Sequence, residues 1–358
     1  MTAVSCDHAA LCRFATDLLA AAGLPERYGA AVARILVEGD MMGHDTHGLQ
    51  LLPSYLSSLK AGTMTADGVQ EIMRDAGAAA LWDGRGLPGP WLISEGMKLG
   101  IERAQTYGTF TLTIRRSHHT AALTSYLKPV TDQGLVALLA VSDPTQAMIA
   151  PFGGTVPLYT TNPYAAGIPT DGDPILIDVS TSATTNGMVN RLHKAGKRFS
   201  YDALVDAQGN PTDDPAVRFS EPVGSIMPLG GIDNGHKGFG LGLLVEALAN
   251  GLAGYGRADG AAGWQAGVFI QVLDPEFFGG RQSFLRETGW LAGAVRSNPP
   301  RDPARPVRLP GQRGLALRRQ MLQHGVLLND GIVADLEKAA AEFGIAMLAG
   351  SAAAKEKA

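Results

Sequence analysis

At 358 residues and 37.5 kDa, the chain is long enough to bury one large core or two lobes that share a core. Hydrophobic residues make up 45% and charged residues 18% of the sequence, which excludes a disordered or fibrous protein. The net charge of −4, without any run of Lys and Arg, excludes the phosphate attraction on which nucleic-acid binders depend. We therefore expect no nucleic-acid partner.

The cysteines and the apolar segments indicate the compartment. Cys6 and Cys12 are too few and too close together for a disulfide framework. The N-terminus lacks a basic segment followed by an apolar one, so no secretory signal is predicted. The most apolar stretch, 241–252, is interrupted by Glu246 and Asn250 and is too short for a bilayer core of about 30 Å. We expect a cytoplasmic protein without a membrane partner.

Helical periodicity characterises the N-terminal part, residues 1–70. Asp7 can cap a helix whose apolar residues recur at helical spacing. A second helix is predicted over about 26–42, and a third runs from about Leu49 and stops at Gly62.

A strand-rich part follows over residues 71–240. Apolar runs between turn residues predict strands at 78–82, 110–114, 135–141 and 175–179, with one helix at 93–107. The polar stretch 186–228 predicts an active-site loop or lid. Residues 241–350 are predicted to be mainly helical, at about 241–252, 313–325 and 330–343, and to pack on the N-terminal helices. Helices at both chain ends around a strand-rich middle indicate an α+β fold.

The segment 84–89 (Gly-Arg-Gly-Leu-Pro-Gly) matches the dinucleotide-binding fingerprint between a strand and a helix. However, Pro88 removes a backbone N–H where phosphate donors are needed. The next strand ends in Arg115 and Arg116 instead of the ribose-binding acid. A plain glycine turn is favoured, and a Rossmann-type dehydrogenase that uses Gly84–Gly89 stays an alternative.

Two tight groups contain four of the eight histidines, at 43–48 and 117–120. Histidine exchanges protons near neutral pH, and a carbonyl that takes up hydride needs a proton for the developing alkoxide. Helix-capping or core histidines are the alternative interpretation. His44, Asp45 and His47 could also ligate a metal, but three ligands within four residues rarely converge on one ion, and we expect no metal.

Three further regions combine turn residues with polar donors. They are 151–154 followed by 160–163, then 178–182, and finally 234–240, where a Lys lies at a glycine-rich helix entrance. Each region alone is explained by a loop or a helix cap. Together they indicate an anionic cofactor held by separated loops.

With these motifs in this order, the sequence resembles the malate/L-lactate dehydrogenase type 2 family of NAD(P)-dependent oxidoreductases, which also includes ureidoglycolate, sulfolactate and 2,3-diketogulonate dehydrogenases. The resemblance covers most of the chain. The matching motifs are Asp45–Gly48 with Tyr55, Arg116–His119, Pro151–Gly154, Thr161–Pro163, Asp178–Ser182, Pro228–Gly231, His236–Leu241 and Pro310–Gly311.

The resemblance implies a non-Rossmann NAD(P)-binding domain with a mostly antiparallel sheet, a helical domain built from both chain ends, and a homodimer with active sites near the subunit interface. It implies hydride transfer between NAD or NADP and the 2-position of a small 2-keto or 2-hydroxy acid. His47 is the expected general acid/base, with Thr46 and His119 beside it. The expected cofactor contacts are His119, Thr120, Ala121, Ala122, Asp178, Val179, Ser180, Lys237, Gly238, Gly311, Gln312 and Arg313, and the expected substrate contacts are Tyr55, Arg116 and Thr161.

Two departures from the family pattern concern the substrate. Leu51 occupies the position of an Arg that holds the substrate carboxylate in many members. Met188 replaces an Asp of the imine-reducing members, which disfavours a cyclic-imine substrate. Either another cation such as Arg116 binds a carboxylate, or the substrate is bulkier and held differently. The missing Arg also leaves a non-catalytic cofactor-binding relative as an alternative.

Overall fold

The computed structural model describes residues 4–348 and the backbone of residues 351–352. Its helices are α1 (His8–Ala21), α2 (Glu26–Met41), α3 (Leu52–Lys60), α4 (Gly89–Tyr107), α5 (Lys128–Thr131), α6 (Asn186–Lys194), α7 (Gly231–Glu246), α8 (Arg281–Arg296), α9 (Gln312–His324) and α10 (Asp330–Phe343). Its strands are β1 (Val4–Cys6), β2 (Glu71–Asp75), β3 (Ala79–Asp83), β4 (Thr109–Ser117), β5 (Val136–Ser142), β6 (Tyr164–Ile168), β7 (Ile175–Val179), β8 (Leu204–Val205), β9 (Pro211–Thr212), β10 (Ser225–Ile226), β11 (Ala266–Leu273), β12 (Val326–Leu328) and β13 (Ser351–Ala352).

Seven strands form the main sheet, in the order β2-β3-β4-β11-β5-β6-β7. β3 and β4 run parallel, whereas the other neighbouring pairs run antiparallel. The predicted α+β class and the mostly antiparallel sheet are therefore confirmed. The parallel pair needs a crossover, which α4 supplies, and this places the Gly84–Gly89 loop at the start of that helix.

The strand at the centre of the sheet, β11, is buried on both faces. On one face α4 approaches closely through two glycines: a Cβ at Gly96 would lie 2.7 Å from Ile270 Cδ1, and one at Gly100 would lie 2.7 Å from Val272 Cγ2. On the opposite face, Phe269 packs with Val245 of α7. Because both faces are covered, the strand is apolar on both faces except for Gln271 and shows no alternation.

Elements from the two ends of the chain contact one another. α1 packs on α2, and α10 contacts both α1 and α3. β1 pairs antiparallel with β12 and β13. Asp7 caps α1 as predicted, since its carboxylate accepts a hydrogen bond of 2.8 Å from the Ala10 N–H. The division into three parts at residues 70 and 240 stays an interpretation of the sequence.

Two sequence expectations are corrected by the element bounds. The stretch 186–228 is not a loop, because it contains α6 and the small sheet β10-β8-β9. The strands of this sheet have two residues each, which is too short for a periodic sequence pattern. The side chain of Thr185 caps α6 by accepting a hydrogen bond of 3.2 Å from the Met188 N–H. Val189 of α6 and Leu204 of β8 belong to a small apolar core of their own.

The C-terminal part also differs from the expectation. α7 begins at Gly231 rather than near Leu241. The sequence pattern missed its first turns because glycines disfavour a helix locally, whereas in the folded protein they allow close packing. A Cβ at Gly238 would lie 2.4 Å from the Leu229 backbone nitrogen. β11 falls in the range 241–350 that was expected to be mainly helical, so the main sheet extends beyond 71–240. No helix within the described part of the chain is long and apolar enough to span a membrane.

We predict that the core around β11 dominates stability. Ile270→Ala removes a fully buried side chain and should lower the free energy of unfolding by about 2–5 kcal/mol, since it leaves a cavity against α4. Ile72→Ala on the outer strand β2, where the side chain is 61% exposed, is the matched control and should change it by about 0.5 kcal/mol or less. Urea unfolding measures both, and equal losses would contradict the prediction.

Candidate active site

A cleft of about 810 Å³ runs along one edge of the main sheet. β4, β5 and β7 end at this edge, and β11 and β6 begin there, because these neighbours are antiparallel. Strands lie about 4.8 Å apart, so the edge from β4 to β7 spans about 19 Å. The cleft is lined by residues next to these strand ends, within 118–123, 141–148, 160–163, 178–180 and 264–266.

The opposite wall begins at the turn after α2, which carries His47. Asp40, at the end of α2, lies behind this turn, and its Oδ2 accepts a 2.8 Å hydrogen bond from the Leu49 N–H. A Cβ at Gly48 would lie 2.3 Å from Asp40 Oδ1, so this approach requires glycine. Burial, with a smaller contribution from Asp45, raises the pKa of Asp40 to about 8. The turn is thus packed tightly against α2, with His47 on the cleft wall.

Among the residues that the structure describes, the imidazole of His47 has one hydrogen-bond partner. Thr46 Oγ1 lies 3.0 Å from His47 Nδ1. Burial, and secondarily the nearby His44, lower the pKa of His47. The ring is therefore neutral near pH 7, where it can accept a proton, and once protonated it can donate that proton again. With Nδ1 bonded to Thr46, Nε2 is the nitrogen left for a ligand in the cleft.

His119 lies near His47, with 6.2 Å between the ring centroids. The Tyr55 hydroxyl lies 3.0 Å from His119 Nδ1 and donates to the His119 carbonyl at 3.0 Å. Burial, with smaller contributions from His47 and His118, lowers the pKa of His119 to about 3. Burial also raises the pKa of Tyr55, so the tyrosine and His119 form a neutral pair whose geometry is held by the backbone. Trp264 packs edge-on to His119 at 4.9 Å.

Most of the expected catalytic and cofactor residues meet in this cleft. Asp178, at the end of β7, accepts a 2.8 Å hydrogen bond from the Thr124 N–H, and burial raises its pKa. Ala121 has a positive φ of 58°, which turns the chain at the cleft wall. The sequence-predicted residues that line the cleft are Thr46, His47, Tyr55, His119, Thr120, Ala121, Ala122, Thr161, Asp178 and Ser180.

Other expected cofactor residues do not line the cleft. Val179 points away from the wall that Asp178 and Ser180 form, as strand alternation requires, and is 48% exposed. Gly311 lies beside β7, where a Cβ would be 2.6 Å from Leu176 Cβ. The residues outside the cleft lining are Val179, Lys237, Gly238, Gly311, Gln312 and Arg313.

Arg116 is also outside the cleft. Its guanidinium bonds the fully buried carboxylate of Asp83, with 2.8 Å between Nε and Oδ1. It lines a second pocket of about 480 Å³, together with Thr65 and Trp264. The structure therefore does not place Arg116 where it would bind a carboxylate beside His47, because the ion pair with Asp83 holds it elsewhere.

Several cleft residues were given no role from the sequence. His118 belongs to a predicted histidine group but was assigned no contact, and Asp143 was missed. They follow the ends of β4 and β5, and the strand ends predicted there were a usable signal. Arg191 and Lys194 of α6 were missed because their segment was interpreted as a loop. Leu51 lines the cleft, whereas Met188 packs against the small core of α6.

No group of three or more His, Cys, Asp or Glu side chains is placed to hold a metal ion among the residues that the structure describes. In the Gly84–Gly89 loop, most amides are already bonded within the protein. The Gly84 N–H donates to Arg115 O, the Gly86 N–H to Arg116 O, and the Leu87 N–H to Gly84 O. A Cβ at Gly89 would lie 2.5 Å from His119 O.

We predict that Asp40 makes stability depend on pH. Its pKa is about 8 in the folded protein and about 3.9 in the unfolded chain, so between these values the folded state retains a proton that the unfolded state has lost. Stability attributable to this residue therefore falls by about 1.4 kcal/mol per pH unit as the pH rises from about 4 to 8. Asp40→Asn, which lacks this proton, should gain stability relative to the wild type over that range.

Urea unfolding at pH 5 and pH 7 measures the difference. Asp335→Asn, on an exposed position of α10, is the control and should follow the wild type at both pH values. A constant difference between Asp40→Asn and the wild type would contradict the assignment.

Comparison with known proteins identifies the family. Residues 6–337 match the family model for malate/L-lactate dehydrogenase, which confirms the resemblance of the sequence motifs. The L-lactate dehydrogenase of Cupriavidus necator is 31% identical over 342 residues, which cover 94% of this chain and 97% of that protein. The (2R)-3-sulfolactate dehydrogenase (NADP(+)) of Chromohalobacter salexigens is 34% identical over 321 residues and covers 86% of this chain and 89% of that protein.

A solved structure agrees with these relatives. The delta1-piperideine-2-carboxylate reductase of Pseudomonas syringae pv. tomato superposes with a TM-score of 0.83 at 28% sequence identity, covering 94% of this chain and 99% of that one. The match thus extends over the main sheet, the cleft and the helices on both sides of it. The chain belongs to the malate/L-lactate dehydrogenase family of oxidoreductases.

Proposed function

We propose that this enzyme transfers a hydride between NAD(P)H and the 2-position of a small 2-keto or 2-hydroxy acid, with His47 as general acid/base. The observation that carries the proposal is the pair of neutral imidazoles, His47 and His119, facing one cleft at the sheet edge. The names of the relatives, which include lactate and sulfolactate dehydrogenases, support this class of substrate.

The described cleft residues fit a nicotinamide dinucleotide. Asp178 offers carboxylate acceptors suited to ribose hydroxyls, and the small side chains of Ala121 and Ala122 leave room along the wall. Val179, Lys237, Gly238 and Gly311–Arg313 remain proposed contacts from the resemblance. When bound, the nicotinamide supplies or accepts the hydride. One relative is named for NADP(+), and we retain both NAD and NADP as candidates.

Residues of the protein carry out the proton transfer in this proposal. In the oxidising direction neutral His47 removes the hydroxyl proton and becomes an imidazolium, and in the reducing direction the imidazolium form returns a proton to the developing alkoxide. The hydrogen bond between Thr46 and His47 Nδ1 orients Nε2 toward the reacting oxygen. His119 is held by Tyr55 and positions the substrate carbonyl as a neutral hydrogen-bonding partner.

Two alternatives have less support. In a Rossmann-type site at Gly84–Gly89 most amides would be occupied already, because Gly84, Arg85, Gly86 and Leu87 all donate to oxygens of the protein itself. A non-catalytic relative would have no need for His47 and His119 to share a cleft in neutral form. The site is therefore better explained by catalysis.

We further propose a cytoplasmic homodimer, as the resemblance implies. Leu241, Leu244 and Leu252 are about half exposed and recur at helical spacing along α7 and the turn that follows it. An apolar stripe of this kind is typical of a surface covered by another subunit.

We predict that His47→Ala lowers kcat by about 10²–10⁴, because proton transfer is lost, while the Kd for NAD(P)H changes little. Nicotinamide absorbance with a panel of 2-keto acids measures the first, and nicotinamide fluorescence measures the second. His324→Ala, at an exposed position at the end of α9, is the control and should retain full activity. Loss of cofactor binding with high residual turnover would overturn the role of His47.

We predict that Leu244→Glu converts the dimer to a monomer, since a buried glutamate is costly at an apolar contact. Light scattering during gel filtration measures the mass. Leu322→Glu, an equally drastic change at an exposed leucine of α9, is the matched control and should stay dimeric. A monomeric wild type, or a dimeric Leu244→Glu protein, would refute this interface.

A further inference from the structure

Three neighbouring strands bring polar side chains together at the floor of the cleft. Ser117 at the end of β4 pairs with Ala266 of β11, and Ser142 at the end of β5 pairs with Gly267 of β11. His118 and Asp143, which follow those two strands, are therefore about two strand spacings apart, roughly 10 Å. Trp264, which precedes β11, lies between them, and all three line the cleft.

His118 is buried without a hydrogen bond. The side chain is 1% exposed, and neither ring nitrogen has a partner among the described residues. Burial lowers the pKa of His118 to about 4, so the ring is neutral near pH 7 and carries one donor and one acceptor. An imidazole left this way in a protein interior is costly, and a ligand in the cleft would satisfy it.

One carboxylate oxygen of Asp143 is also buried without a hydrogen bond among the described residues. Oδ1 accepts hydrogen bonds from the Thr145 N–H at 2.9 Å and the Thr145 hydroxyl at 2.8 Å, which closes the turn after β5. Oδ2 is buried and has no partner within the described part of the chain. Only Oδ1 is needed for the turn. Burial raises the pKa of Asp143, whereas the Thr145 hydrogen bonds, Arg257 and the nearby Gln265 N–H favour its ionised form.

The turn that carries Asp143 is held rigidly from behind. Arg257 donates to Asp143 O at 3.1 Å and to Gln146 O at 2.7 Å, and it pairs with Glu246 at 2.8 Å. Because the guanidinium is engaged by these oxygens, it anchors the backbone of the turn. Asp143 Oδ2 is thus preorganised, which is typical of a group that recognises a ligand.

The charge of the cleft is divided between its walls. The lysine and arginine among its lining residues, Arg191 and Lys194, both lie on α6. Leu51 is apolar where many members carry an Arg, and the floor presents the carboxyl of Asp143. An anionic group placed at this floor would meet a carboxyl without a compensating cation from the residues that line it.

We propose that Asp143 and His118 form a subsite that selects the far end of the substrate: it binds an uncharged group that donates a hydrogen bond, such as a carboxamide or hydroxyl, and rejects a second carboxylate. The proposal rests on the proposed function for the reacting end of the substrate. Asp143 Oδ2 accepts from the donor group, and the neutral His118 supplies one further hydrogen bond.

Two isosteric substrates test this selection. 2-Oxosuccinamate and oxaloacetate differ only in an amide or a carboxylate at the far end. The wild type should have a kcat/KM about 10- to 100-fold higher for the amide, because the carboxylate loses a hydrogen bond to a charged group and is repelled. In D143N the side-chain oxygen still accepts from Thr145, but an amide N–H replaces Oδ2. The preference for the amide should therefore fall by about tenfold or more.

A matched control comes from the small sheet. Asp206 follows β8 and accepts from the Gln208 N–H at 2.9 Å, in the same kind of turn, and it does not line the cleft. D206N should leave the substrate ratio unchanged. Titration calorimetry with succinamate and succinate, which lack the oxo group, gives the same comparison as binding constants without turnover.

The outcomes are distinct. A wild type that prefers oxaloacetate, or a D143N ratio equal to that of the wild type, would overturn the subsite. If D143N instead raises the Kd for NADPH and leaves the ratio unchanged, Asp143 contacts the cofactor amide and the proposal is wrong. If no 2-oxo acid is reduced by the wild type, the proposed function fails, whereas the succinamate and succinate binding constants still decide the subsite.

Discussion

The insertion of β11 between β4 and β5 is the constraint on which the site depends. This strand is antiparallel to both neighbours, so its start lies beside their ends and three loops meet at one edge of the sheet. Its side chains are buried on both faces, against α4 on one side and α7 on the other. The edge that β11 completes is the floor of the cleft, and His119, Asp143 and Trp264 reach the cleft because of it.

The floor of the cleft and the wall opposite it are stabilised by different means. The His47 turn is packed against a buried carboxyl, Asp40, so closely that only glycine fits at position 48. The Asp143 turn is held by the guanidinium of Arg257. The wall that carries His47 thus depends on steric fit, and the floor that carries Asp143 depends on charge-assisted hydrogen bonds. Both hold the loops that would contact a substrate. Burial keeps His47, His118 and His119 neutral in between.

The proposed chemistry assigns different roles to similar side chains. Within the described part of the chain the His47 ring bonds to Thr46 through Nδ1, which leaves Nε2 for the proposed proton transfer. His119 is fixed by Tyr55, and burial lowers its pKa to about 3. The His118 ring has no hydrogen-bond partner within the described residues and is proposed to bind the far end of the substrate. The three histidines therefore differ in their surroundings, and the roles proposed for them differ accordingly.

Local features of this protein can be identified from its amino-acid sequence. Features that depend on residues close together in the chain are identified by periodicity and capping rules. They include the cap at Asp7, the helix Asp330–Phe343, the strand Ile175–Val179 and the histidine motifs. The tertiary structure alone decided that β11 lies at the centre of the sheet and that Asp83 holds Arg116 away from the cleft. Strand order and ion pairs join residues that are distant in the chain, and no local pattern encodes them.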